Sequence, residues 1–257
     1  MTKKTGLIVG MSAAVVTLLA LISITIWQIS KNNTDVVAPF NDYELSTMKQ
    51  LATDIDYSQY DLANIIPANE NSGNLPENIL GNPNAPIIIT EHMDYRCTYC
   101  APMNVHVNKI LEEYDGKVAF VLRAYLLPYH SSSPRVTSAA NAAAIQGYWK
   151  DYKDLVFANQ SEWYESEDNE LQNQLEEYFI QVSNGKGDLK KFRTDMASEA
   201  VAKKVAFDFG IGNEIEIGGT PWFYLDGEWI ENPGDITQAQ YADLIRKAID
   251  KKLKTLE

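Results

Sequence analysis

Hydrophobic and polar residues alternate in different rhythms along this chain, and each rhythm predicts a different kind of element. Between Lys4 and Lys31 no residue is charged, and Leu18, Leu19, Leu21, Ile22, Ile24, Ile26, Trp27 and Ile29 crowd the later part of the run. About 20 such residues span a bilayer, so this stretch reads as one transmembrane helix. Residues 32–78 are rich in Asn, Asp and Pro and keep no period except a short helical stretch near Tyr43 to Ala52, which predicts a tether with little core of its own. Ile87 to His92 is short, apolar and β-branched, the pattern of a buried strand, and Val118 to Leu127 is apolar enough for a second, central one.

Helical spacing takes over between and after these strands. Ala101 to Tyr114 predicts a helix with Val105, Val107, Ile110 and Leu111 as core candidates; Pro102 is tolerated because it lies near the first turn. From about residue 128 to 187 the pattern is helical throughout. Ser133-Pro134 reads as a cap followed by a first-turn proline for the alanine-rich helix to Gln146, a second helix runs from Trp149 to Ala158, and a third from Asn169 to Val182. Asp188 then caps a long helix to Phe209, ended by Gly210. Trp222 to Leu225 predicts a third strand, which Asp226-Gly227 turns into a fourth at Trp229 and Ile230. Thr237 with Gln240 forms a capping box for a last amphipathic helix. Because both flanks of the helical stretch must return to one sheet, the expected fold class is α/β: a central mixed sheet with a helical insertion, preceded by the membrane helix. The domain limits that follow are 1–31 for a cytoplasmic tip and anchor, 32–78 for the extracytoplasmic tether, and 79–257 for the folded domain.

Charge narrows the setting. The chain carries 35 acidic against 22 basic side chains, a net −13, which repels nucleic-acid phosphates and makes nucleic acid an unfavourable partner. Lys3 and Lys4 precede the apolar run, which orients the N-terminus to the cytoplasm and the rest outside, in a single-pass arrangement in the cell membrane. A cleaved signal peptide is the competing reading. The run is longer than a signal's apolar core, and the small-residue site Val36-Val37-Ala38 is followed by Pro39.

The chemistry lies in the chain's two cysteines, Cys97 and Cys100, set between the first strand and the first helix of the domain. At a helix N-terminus, unpaired N–H groups and the macrodipole favour a thiolate. A lone pair of cysteines outside the cytoplasm is a redox centre, a structural bridge or half of a metal site. The metal reading would need two further ligands from His92, His106 and His130, and their spacing does not suit a four-ligand zinc site. A structural bridge across two residues closes too small a loop to stabilise much. Haem attachment is excluded because Ala101 stands where it needs histidine. Strand alternation puts Glu91 on one face with Ile87 and Ile89. It is either a solvated residue at the strand mouth or a desolvated acid of raised pKa that exchanges a proton with the inner cysteine.

Three sequence pieces together resemble the DsbA-like thiol:disulfide oxidoreductases of the thioredoxin-like superfamily, in particular the membrane-anchored bacterial kind. They are Gly81-Asn82-Pro83-Asn84-Ala85-Pro86 leading through Asp94-Tyr95-Arg96 to Cys97 and Cys100; Tyr152 to Trp163, with Asp154-Leu155, Phe157 and Asn159-Gln160; and Gly219-Thr220-Pro221. The likeness covers about residues 79–257. It implies a thioredoxin-like fold without cofactor or metal, an exposed nucleophile at Cys97, a buried resolving cysteine at Cys100, and Glu91 as the acid six residues before the nucleophile. Pro221 matches the family's cis-proline and Thr220 the residue whose backbone pairs with substrate; Thr98 and Tyr99 complete the expected substrate-binding set. The implied activity is to introduce disulfides into exported cysteine-containing proteins, with a membrane redox partner resetting the pair. A reductase or isomerase of the same fold is the alternative, and a metal-binding or non-catalytic structural module the alternative of another class. One departure bears on direction, since the strongly oxidising members place a histidine between the cysteines where this chain has Thr98-Tyr99.

Overall fold

A computed structural model describes residues 45–166 and 168–257. In chain order its strands are β1 (Asn78–Gly81), β2 (Ile87–Met93), β3 (Val118–Ala124), β4 (Trp222–Leu225) and β5 (Glu228–Trp229). Its helices are α1 (Leu45–Thr53), α2 (Cys100–Glu113), α3 (Ser133–Ile145), α4 (Trp149–Ala158), the single turn α5 (Gln160–Trp163), α6 (Asp168–Val182), α7 (Leu189–Met196), α8 (Glu199–Glu214) and α9 (Gln238–Leu256). Among the described residues no helix is long and apolar enough to cross a membrane. The run expected to do so, from Thr5 to Ser30, lies outside them.

One mixed sheet organises the fold, with strands in the order β1-β3-β2-β4-β5. β2 and β3 are parallel, and the remaining pairs are antiparallel. Every residue of β2 and of β3 is buried, which explains their unbroken apolar character: a parallel pair covered on both faces has no side to give to water. The pleat sorts Ile87, Ile89 and Glu91 from Ile88, Thr90 and His92. Across the ladder Glu91 is registered with Leu122 on one side and Phe223 on the other. Phe120, Phe223 and Tyr241 continue this layer through edge-to-face ring contacts at 6.5 and 5.4 Å. Between β3 and β4 the chain makes the expected helical insertion, and α9 opens with the capping box of Thr237 and Gln240.

Residues 45–78 are not the coreless tether that their composition predicts. Met48 and Ala52 of α1 are buried against Val201, Val205 and Phe209 of α8. Tyr57 stacks on Phe207 at 5.8 Å, and a Cβ on Gly210 would collide with its hydroxyl, so glycine is what allows the approach. Ile65 packs on the layer of Ile88, Ala119 and Val121. Arg123 fastens the segment, donating to the carbonyl oxygens of Leu62 and Asn64 at 2.6 and 2.7 Å and pairing with Glu77 at 2.7 Å. These contacts are made by few apolar residues spread over an irregular path, which no periodicity announces. The segment leads directly into β1 (Asn78–Gly81), an edge strand absent from the sequence expectation.

Two helix ends also differ. The long helix expected from Asp188 to Phe209 is two helices, because the Ser198 hydroxyl accepts from Val201 N at 3.2 Å and starts α8 afresh. Ser133 does not cap α3; Ser132 holds that position without a side-chain capping bond, and the Ser133 hydroxyl donates instead to Asp94 at 2.5 Å.

Candidate active site

β2 delivers Glu91 into the core and then runs on to Asp94, where the backbone turns toward the first cysteine. Cys97 N donates to the Asp94 carbonyl at 3.0 Å, and Cys100 N to the Cys97 carbonyl at 3.0 Å, which winds the segment into the first turn of α2. The Asp94 carboxylate is fully buried. It accepts from Arg96 N at 2.8 Å, from Leu127 N at 3.0 Å and from the Ser133 hydroxyl, and it lies 2.9 Å from His130 Nδ1. One carboxylate thus ties the cysteine loop to the loop that leads into α3. Gln160 of α5 holds the loop from the other side, its Nε2 donating to the carbonyls of Tyr95 at 2.7 Å and Cys97 at 3.0 Å.

Both cysteines are free thiols. Cys97, expected to be exposed, retains 4 % of its surface, because the loop before β4 lies over it: its sulfur is 3.3 Å from the Thr220 carbonyl oxygen. The Thr220–Pro221 bond in that loop is cis. Thr98 and Tyr99 between the cysteines are both exposed. The hydrogen bond from Cys100 lowers the Cys97 pKa to about 6; burial opposes it, and the N–H groups of Tyr99 and Cys100 assist. Burial, aided by the neighbouring Cys97 sulfur, pushes the Cys100 thiol well above the ordinary thiol range.

Glu91 is 3 % exposed, and its Oε2 has no hydrogen-bond partner. Desolvation raises its pKa to about 7, against the pull of the Lys153 ammonium, and its charge is felt at Cys100. The solvated strand-mouth alternative is therefore not what this geometry offers. His92, on the opposite face, is fully buried with both ring nitrogens unpartnered; burial and Arg123 depress its pKa to about 3, which keeps it neutral. Among the described residues no group of three or more His, Cys, Asp or Glu side chains could hold a metal ion.

Sequence reasoning missed three side chains here. Asp94 and Gln160 stood inside the recognised motifs, but apart from Arg96 N their partners lie 33 to 65 positions away, out of reach of any local signal. Lys153 also lies in a recognised stretch, Tyr152 to Trp163, but was not singled out. It is a fully buried lysine in the insertion, on a helix face otherwise apolar.

A thioredoxin-like sheet, a helix that begins at a two-cysteine turn, and a cis-proline loop against the first sulfur define a DsbA-like oxidoreductase. The chain belongs to the thioredoxin family: the family model described as Thioredoxin matches residues 74–251. Among curated proteins it is 27 % identical over 180 residues to "Probable disulfide bond formation protein D" of Bacillus cereus, covering 68 % of this chain and 78 % of that protein. It is also 28 % identical over 161 residues to "Na(+)/H(+) antiporter NhaA 3" of Salinispora tropica, covering 62 % of this chain but only 23 % of the antiporter's length. Among solved structures, oxidised BdbD from Bacillus subtilis shares the fold with a TM-score of 0.58 at 22 % identity, over 75 % of this chain and 98 % of that one.

Proposed function

We propose that this protein exchanges disulfides with exported, cysteine-containing proteins outside the cytoplasm, in the oxidising direction, through Cys97 and Cys100. The observation that carries the reading is the opposite push on two adjacent thiols: Cys97 toward thiolate near pH 6, Cys100 toward the protonated thiol. A substrate thiolate attacks Cys97 Sγ of the disulfide form; the S–S bond breaks, and Cys100 leaves as a thiolate that takes a proton from Glu91. A second substrate thiolate then attacks the substrate sulfur of the mixed disulfide, which closes the substrate disulfide and releases Cys97 as a stabilised thiolate. Two electrons have passed from substrate to the cysteine pair, and a membrane redox partner removes them. Glu91, with a pKa of about 7, exchanges protons in either direction at neutral pH.

A good leaving thiolate at Cys97 stabilises the reduced pair, which favours oxidation of substrates over their reduction. Thr98, Tyr99, Thr220 and Pro221 form the rim on which an extended substrate segment would lie, with the Thr220 backbone as its pairing edge. Residues 1–31 supply the anchor in this reading, with Lys3 and Lys4 inside, and a relative named for disulfide bond formation supports the reading of disulfide chemistry.

The test is trapping. Cys100→Ser should accumulate mixed disulfides with exported proteins through Cys97, and Cys97→Ser should accumulate none; equal trapping by both, or by neither, overturns the assignment. The potential of the pair against glutathione separates the directions, with about −120 mV meaning oxidase and about −270 mV reductase.

A further inference from the structure

His130 is a buried imidazole in the loop between β3 and α3. Its Nδ1 lies 2.9 Å from Asp94 Oδ2. A carboxylate offers only acceptors, so Nδ1 carries the hydrogen and donates it. Two more donors reach the same carboxylate from this loop, the Leu127 N–H at 3.0 Å and the Ser133 hydroxyl at 2.5 Å. Asp94 is also where the cysteine turn begins: its carboxylate accepts from Arg96 N at 2.8 Å and its carbonyl from Cys97 N at 3.0 Å. Loop and turn meet again where Arg96 Nη1 donates to Ser132 Oγ at 2.8 Å. The imidazole is held in place from both directions. The exposed Tyr129 ring meets it edge-to-face at 4.6 Å, and its own backbone is pinned by bonds from His130 N to the Leu127 carbonyl at 3.0 Å and from Ser133 N to the His130 carbonyl at 3.1 Å.

An apolar side chain would fill this place without a nitrogen to desolvate, so the bond to Asp94, and not packing, accounts for the imidazole. Leu127 contributes only backbone, which any residue supplies, and Ser133 is committed to the first turn of α3. We propose that His130 is a positioning residue for exchange at Cys97: its Nδ1–H holds the Asp94 carboxylate, and Asp94 holds the turn that sets the Cys97 sulfur against the Thr220 carbonyl. The proposal rests on the reading of Cys97 as the nucleophile, and it gives the helical insertion a grip on the turn that presents that sulfur. Without the imidazole, Asp94 Oδ2 keeps only the Leu127 N–H, inside a site from which water is excluded. A buried carboxylate short of a partner reorients to recover one, and the Arg96 and Cys97 backbone bound to the same residue moves with it. The N–H groups of Tyr99 and Cys100 that help hold the Cys97 thiolate lie in that turn, so their aim at the sulfur is what the histidine secures.

The experiment titrates the Cys97 thiolate by its ultraviolet absorbance in the reduced protein, with Cys97→Ser as the baseline, and measures the potential of the pair against glutathione. Wild type is compared with three variants. His130→Leu fills the site without a donor, His130→Asn places an amide N–H where Nδ1 stands, and His130→Gln keeps an amide but carries its N–H one bond further out. In His130→Leu the midpoint should rise by about one unit, the size of one lost charge-assisted hydrogen bond, and the pair should become more reducing. His130→Asn should restore most of both, and His130→Gln should restore neither. An unmoved midpoint in folded His130→Leu overturns the assignment and leaves the histidine a role in the fold alone. Where that variant does not fold, equal midpoints for the Asn and Gln variants overturn it. Trapping of exported proteins by Cys100→Ser is measured with His130 intact, so its failure removes the proposed function while a shifted midpoint still assigns His130, and the two readings fail separately.

Discussion

The Gln160 side-chain nitrogen lies 3.0 Å from the carbonyl oxygen of Cys97, across 63 positions of sequence. The same nitrogen reaches the Tyr95 carbonyl, so one buried amide closes both ends of the turn that presents the first sulfur. Gln160→Leu leaves two buried carbonyls without that partner. The reduced protein should lose about 1–3 kcal/mol in denaturant unfolding, the cost of orphaned polar groups, and the Cys97 thiolate absorbance should titrate at a higher pH than in wild type. Loss of stability with an unchanged thiolate midpoint would mean that Gln160 supports the fold but not the sulfur.

Glu91 makes stability depend on pH with a definite sign. Its folded pKa, about 7, lies above the 4.5 of an exposed glutamate, so the folded state holds its proton more tightly than the unfolded state. The stabilisation is complete below about pH 4.5 and is lost as pH rises through 7; it should amount to roughly 3 kcal/mol at about 1.4 kcal/mol per unit. Glu91→Gln should flatten the curve over that window, and a curve that keeps its slope would contradict the buried-acid reading.

The same substitution tests chemistry. With a model peptide in stopped-flow fluorescence, release of Cys97 from the mixed disulfide should change little in Glu91→Gln, because that thiolate is held by the Cys100 hydrogen bond and backbone N–H groups. The step in which Cys100 gives up or takes its proton should slow by about tenfold or more, the low side of general-base effects. Slowed release of Cys97 with normal expulsion of Cys100 would assign the carboxylate to the wrong sulfur.

Met48 distinguishes a tether from a part of the domain. It is fully buried between α1 and α8, so Met48→Ala should destabilise the protein by about 2–5 kcal/mol, read as a lower denaturant midpoint at unchanged slope. No loss would return residues 45–53 to the role that their composition predicts.

Topology is tested by protease added to intact spheroplasts. With Lys3 and Lys4 inside, the domain carrying the cysteines should be degraded, and full protection would reverse the proposed orientation.

What could be read from the chain alone is local. Ile87 to His92 announces a buried strand by β-branching and length, Thr237 and Gln240 announce a helix start by their spacing, and Cys97 and Cys100 announce a redox turn by standing between a strand and a helix. Strand alternation even placed Glu91 with Ile87 and Ile89. Each of these rests on interactions within a few residues, which a one-dimensional pattern records. The tertiary structure alone decided the rest, for the complementary reason. Asp94 is satisfied by Leu127, His130 and Ser133, Cys97 is covered by Thr220, and residues 45–78 are fastened through Arg123. Lys153 meets Asn104 only when α4 folds back onto the helix that begins at Cys100. Burial and charge pairing at such separations depend on which surfaces the fold brings together, and no periodicity in the sequence encodes that.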